Sequence, residues 1–188
     1  MDERVREHAE IIVDHSLNVE SGDAVVVRAP SVADELAVTV SELLGERGAY
    51  PLVMSGRRDA KQAAFLAAAD PADIDTPDHE RALFDAADAV LHIRGYANAS
   101  EMSDVDSDTH AAYNQAYQPI QEEILSKRWC LTQHPSPGSA QLAEMSSRSY
   151  ADFVYGAMNK DWEDQRAHQE RMVEILDPAE EVRIVSGD

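Results

Sequence analysis

Apolar residues fall into two alternating periods along the chain. Val5, Ala9, Ile12, Val13 and Leu17 recur at helical spacing and predict a helix over residues 2–18. After Gly22, "AVVV" (24–27) reads as a strand. Ser31 then stands as a candidate N-cap, with Asp34 three residues on. Leu36, Val40, Leu43 and Leu44 form the buried stripe of a second helix, and Gly48 marks its stop. "YPLVMS" (50–55) is the next strand, with Pro51 near its start, where a ladder donor is dispensable.

The alternation continues. An alanine-rich helix spans 60–69, Pro71 and Pro77 punctuate a loop, and a short helix covers 80–86. "AVLHI" (89–93) is the third strand. A helix from about Val105, bent or ended at Pro119, continues to Lys127. "WCLTQ" (129–133) is the fourth strand, followed by helices over 140–158, with a break near Met145, and over 162–176. Val182 to Asp188 begins a fifth strand. Strands alternating with helices predict a three-layer α/β/α sandwich around a mostly parallel sheet of about five strands. No linker interrupts the pattern, so residues 1–188 form one domain in this reading. Its last strand ends on turn residues, as in an N-terminal domain cut from a longer chain.

Charge changes the picture most. Asp and Glu total 36 against 16 Lys and Arg, a net charge of −20, and only Lys61, Lys127 and Lys160 are lysine. A field of that sign repels nucleic acid and anionic membranes, so neither is expected as a partner. The acids are dispersed through apolar-periodic segments rather than gathered in a tail, which fits a folded halophilic protein. The charged N-terminus "MDERVREHAE" has no signal core, and no apolar run approaches the roughly 18 residues of a membrane span. The expected location is cytoplasmic. Cys130, the single cysteine, excludes an internal disulfide and belongs to the core in this reading.

Candidate chemistry is sparse. No glycine-rich dinucleotide loop follows the first strand, which runs into "VRAPSVAD", and no Walker loop is present. "DVDSDTH" (104–110) opens like a calcium loop but has Thr109 where glycine is needed and Gln115 where glutamate is needed. Ser103 or Asp104 therefore reads as a helix cap. No metal-binding histidine pair occurs: His8 and His15 read as solvated, and His92 as a satisfied strand histidine. Asn98 to Ser100 fits a glycosylation sequon in a chain with no sign of export. "TQHPSPGSAQLAEMS" (132–146) resembles a nucleophile loop, yet Gln141 stands where the second elbow glycine belongs. It reads as a proline-stiffened connection capped by Ser136 or Ser139. On these grounds no catalytic, metal-binding or substrate-binding residue is assigned.

The same loop carries a resemblance. Trp129, Pro135 and the Ala140–Gln141, Ala143, Met145–Ser146 pattern, with Tyr150 after it, are similar to the thermophilic metalloprotease family of the aminopeptidase T and aminopeptidase S type. "HAEIIVDHSLNVESGDAVVVRAP" resembles that family's opening helix, turn and strand. "HIRGYANAS" resembles its third strand and Asn-containing loop, matched by Asn98. "GAMNKDWEDQRAHQERMVEIL" and "EEVRIVSGD" resemble the approach to its second domain. Gly138 and Ser139 depart from the family's loop.

The resemblance implies a two-domain leucyl aminopeptidase that removes N-terminal residues from peptides with two divalent metal ions, such as zinc or cobalt. Its ligands would lie in a C-terminal catalytic domain beginning beyond this chain. The chain would then be the α/β N-terminal domain, inactive alone, binding no cofactor itself, with its own catalytic domain, a peptide and a second subunit as partners. The loops around Arg28–Ser31, Arg94–Asn98 and His134–Ser139 should lie at the ligand edge of the sheet. The rival expectation is a free-standing domain that binds a small ligand and hydrolyses nothing.

Overall fold

The computed structural model describes residues 2–186. Four strands, β1 (Ala24–Ala29), β2 (Tyr50–Ser55), β3 (Ala89–Arg94) and β4 (Arg128–Gln133), form one parallel sheet in the order β2-β1-β3-β4. The helices are α1 (Glu3–Glu10, continuing as a π-helical turn Ile11–Ser16), α2 (Asp34–Glu46), α3 (Ala60–Ala68), α4 (Asp78–Asp85), α5 (Ser107–Ser126), α6 (Pro137–Leu142), α7 (Ser147–Met158) and α8 (Trp162–Leu176). The predicted α/β/α sandwich is the observed fold. The expected fifth strand is not formed over 182–186, where Val182, Ile184 and Val185 are exposed; Gly187 and Asp188 lie outside the described residues.

Pleat alternation divides the core in two. Val25, Val27, Leu91 and Ile93 point to the face covered by α1 and α2, against Val5, Ile12, Leu36, Val40 and Leu44. Val26 and Val90 point to the opposite face, against Phe84 of α4 and Tyr117, Ile120 and Ile124 of α5. The path leaves β1 toward β2 through α2, then returns to β3 and leaves toward β4 through α5. Reversing direction across the sheet requires the crossover helix to change face if handedness is kept, and it does.

Local differences from the sequence reading have identifiable causes. Ser31 does not cap α2: Pro30 leads into a 3-10 turn, Ser31–Ala33, and the helix proper starts at Asp34. Neither Ser103 nor Asp104 caps α5. Ser103 N–H donates to Ser100 O and Val105 N–H to Met102 O, so two turns bury Val105 before the helix begins at Ser107. Pro119 lies inside α5, which passes through it to Ser126. The break near Met145 is present, with Glu144 at φ 54° and Ser146 accepting from Ser149 N–H at 3.1 Å to start α7. Cys130 is half-buried against the first core, and burial pushes its thiol up.

Candidate functional site

The chain reverses direction between β1 and β3, and in open parallel sheets the crevice beyond such a reversal is the usual ligand position. A cavity of about 470 Å³ lies there, lined by the ends of β1 and β3, the Gly56–Arg58 loop after β2, and α3 and α5. The pleat determines its chemistry. Following Val26 and Val90 on the α5 face come Arg28, His92 and Arg94, so the apolar layer turns cationic toward the strands' C-terminal ends.

Four arginines, Arg28, Arg57, Arg58 and Arg94, line the cavity, and among the described residues no Asp or Glu does. That clustering stands out in a chain of net charge −20. Arg28 is buried, at 3% exposure, and its Nη2 donates to Glu80 Oε2 at 2.7 Å. The same helix supplies Phe84, whose ring lies 4.6 Å from the guanidinium, because Glu80 and Phe84 are one turn apart on α4. Tyr113 and Tyr117, likewise one turn apart on α5, stack with ring centroids 5.6 Å apart. The Tyr117 ring is within cation–π reach of both Arg57, at 4.1 Å, and Arg28, at 5.4 Å.

Protonation leaves arginine as the source of positive charge. Burial pushes His92 down to about 4, helped by Arg28, Arg57 and Arg94, so its ring is neutral at pH 7. Burial pushes Tyr117 up to about 12 and Tyr113 upward, so both phenols stay protonated. Buried polar atoms remain unused: Arg28 Nε and Nη1, His92 Nε2 and the Tyr117 hydroxyl have no hydrogen-bond partner of good geometry, although the hydroxyl lies close enough to the Arg28 guanidinium to interact with it. His92 is therefore not the satisfied strand histidine expected from sequence.

The 134–139 loop supports this cavity from behind. His134 N–H donates to Arg94 O at 2.7 Å, and Gly138 N–H to Tyr96 O at 2.9 Å. Ser136 occupies the N-cap position of α6, but its Oγ accepts from Tyr96 N–H at 2.8 Å rather than from the helix. Ser139 Oγ lies 2.9 Å from Ser136 Oγ and accepts from Gln133 Nε2 at 3.2 Å. No imidazole meets either serine hydroxyl, so no nucleophile is assembled. The loop fixes Gly95 and Tyr96, which line the cavity.

The remaining candidates disperse. His8 is buried at 2% exposure, not solvated, with Nε2 2.7 Å from Thr132 Oγ1. His15 is exposed, its ring 5.7 Å from that of Trp162. Asn98 Oδ1 accepts from Ser100 N–H at 3.0 Å in a local turn. Among the described residues no group of three or more His, Cys, Asp or Glu side chains is placed to hold a metal ion. No described helix is long and apolar enough to cross a membrane. Of the three loops expected at the ligand edge, Arg28–Pro30 and Arg94–Tyr96 line the cavity, while His134–Ser139 stands behind it. Arg57, Arg58 and Tyr113 escaped the sequence reading. The signal available was alternation, since Arg28 and Arg94 each sit two residues beyond an inward-facing strand residue, and "GRR" directly follows β2.

Comparison with known proteins bears on the whole chain. The profile of one family, described as thermophilic metalloprotease (M29), matches residues 1–187. No curated protein matches. Among solved structures, wild-type AmpT from Thermus thermophilus is similar with a TM-score of 0.66 and 21% identity, over 83% of this chain and 42% of that chain. At that identity the likeness is one of fold, and the chain spans less than half of the AmpT chain.

Proposed function

Because the chain belongs to the thermophilic metalloprotease (M29) family, we propose that it is the N-terminal, non-catalytic domain of a metal-dependent aminopeptidase. The observation that carries this is one of coverage: the family match runs over residues 1–187, yet the fold accounts for only 42% of the AmpT chain. A metalloprotease needs divalent metal to polarise a carbonyl and activate water. The described side chains do not fit that metal, since none of their His, Cys, Asp and Glu groups converge in threes. The chemistry then belongs to a second domain. In this reading the chain works in the cytoplasm of a halophile and acts as scaffold and as a wall limiting access to short peptides.

Exposed apolar surface supports further partners. Tyr50, Leu52 and Val53 stand on the edge strand β2, and Met172, Val173, Ile175 and Leu176 on α8. A catalytic domain and a second subunit would cover such faces. The test compares turnover of an aminoacyl p-nitroanilide by the metal-loaded chain and by the product of the uninterrupted gene. The proposal expects no turnover by the chain and zinc- or cobalt-dependent turnover by a longer product carrying Glu and His motifs. Turnover by the chain alone would refute the non-catalytic assignment. A gene that stops after Asp188 would instead support a free-standing ligand-binding domain, a reading that the cationic cavity favours.

A further inference from the structure

We infer that the cavity between the ends of β1 and β3 is a binding site for a small organic carboxylate, held by the guanidiniums of Arg57 and Arg94 above the buried guanidinium of Arg28. Its charge selects an anion: four arginines line it, no acid among the described residues does, and Glu80 is already bound to Arg28 at 2.7 Å. The site is also incomplete without an acceptor. Arg28 is 3% exposed, and its Nε and Nη1 have no partner of good geometry, with only the Tyr117 hydroxyl close by. Buried donors are seldom left unmatched, and an oxyanion is the acceptor that a guanidinium fork matches best.

Two features separate an organic carboxylate from inorganic phosphate. First, phosphate sites in α/β folds draw on free backbone amides in a glycine-rich turn. Here most of the amides in the lining loops are committed or missing: Gly56 N–H donates to Ala29 O at 2.9 Å, Arg58 N–H to Gln62 Oε1 at 2.6 Å and Tyr96 N–H to Ser136 Oγ at 2.8 Å, and Pro30 has none. Recognition then rests mainly on planar side-chain forks, which pair bidentately with an oxyanion, and the backbone cradle that would favour phosphate is largely missing. Second, a cavity of about 470 Å³ whose walls include Leu66, Ile124 and Leu131 has apolar room for a body attached to the anion. A peptide's C-terminal carboxylate belongs to this class. Binding is read without turnover, so it stands or falls separately from the aminopeptidase reading.

The experiment titrates the 188-residue chain with N-acetyl-leucine and, separately, with its neutral amide at fixed ionic strength. Amide shifts of Gly95 and Tyr96 and the indole shift of Trp129 are followed by NMR. The acid should shift all three saturably, and the amide should bind at least about tenfold more weakly. Arg57→Gln and Arg94→Gln should each weaken the acid by about fivefold or more, with the rest of the spectrum unchanged. Arg94 is exposed, so its variant tests the site even if Arg57→Gln perturbs the stack on Tyr117. Equal affinity for acid and amide, wild-type affinity in both variants, or displacement of N-acetyl-leucine by lower concentrations of inorganic phosphate would overturn the assignment.

Discussion

His8 Nε2 and Thr132 Oγ1 lie 2.7 Å apart and join the first helix to the last strand across 124 residues of sequence. The Thr132 hydroxyl also lies 3.3 Å from Met158 Sδ. The other ring nitrogen, Nδ1, is buried without a partner. Burial, with a smaller contribution from nearby His134, pushes His8 down to about 4.

This pair predicts acid sensitivity with a definite sign. In the unfolded chain His8 titrates near 6.5, and in the fold near 4, so the unfolded state binds the proton first. The stability is present in full above the unfolded value and is lost as pH falls toward the folded one. His92 behaves likewise, and His134 shifts in the same direction. His8 alone should cost on the order of 2 kcal/mol between pH 7 and pH 5. His8→Gln keeps an N–H for Thr132 but cannot titrate. Denaturation free energies measured across that range should fall less steeply in the variant; equal slopes would remove His8 as the cause.

Gly138 and Gly156 should respond in opposite ways to alanine. A Cβ on Gly138 would stand 2.5 Å from the carbonyl oxygen of Tyr96, and backbone on both sides leaves nothing flexible to yield. Gly138→Ala should cost roughly 2–3 kcal/mol and disturb Tyr96 at the cavity wall. Gly156, inside α7, has open space where its Cβ would go, so Gly156→Ala should stabilise by about 0.5–1 kcal/mol through helix propensity and reduced unfolded-state freedom. A urea midpoint that rises in Gly138→Ala would refute the first argument, and one that falls in Gly156→Ala would refute the second.

The Arg28–Glu80 pair is a separate case, because its cation is buried and its anion is only partly exposed, at 25%. Removing one partner strands the other. Glu80→Ala should destabilise by about 3 kcal/mol, since it leaves a buried guanidinium with no counter-charge, beside the rings of Phe84 and Tyr117 and the Tyr117 hydroxyl. Replacing both, as Arg28→Met with Glu80→Met, should cost less than Glu80→Ala alone, because no charge remains to be solvated. A double variant less stable than the single one would mean that the ion pair itself, and not the stranded charge, dominates.

Where turns and caps bound an element sharply, sequence and structure agree even if it buries little, since no residue of α8 is buried and β2 is largely exposed. The β2 and α8 limits match because Tyr50–Ser55 is bounded by turns and Trp162–Leu176 by a capping Asp161 and Asp177. Sheet order was not legible, since alternation reveals strands but not neighbours. The fifth strand failed because an apolar run such as "VRIV" forms a strand only beside a partner, and no described strand pairs with it. His8 escaped for the opposite reason: a polar residue one position before Ala9 reads as surface, whereas the helix buries it to meet Thr132. The cavity was hidden because its arginines come from three separate strand ends, and only the parallel register brings Arg28 level with His92.

Net charge gives the final prediction. At −20, like-charge repulsion opposes compaction, and the surface ion pairs that counter it are exposed: Arg4 with Asp152, Arg47 with Asp14, Arg166 with Glu170. Exposed pairs contribute little, and salt weakens them. Repulsion summed over 36 acids against 16 basic residues is the larger effect, and it shrinks as the screening length drops from about 10 Å at 0.1 M to about 3 Å at 1 M. The melting temperature should therefore rise by roughly 5 °C or more between 0.1 M and 2 M potassium chloride. Potassium chloride is the appropriate salt because sulfate or phosphate would strengthen burial by exclusion and mimic the effect. A melting temperature that stays flat or falls over that range would show that the acidic surface is not adapted to concentrated salt.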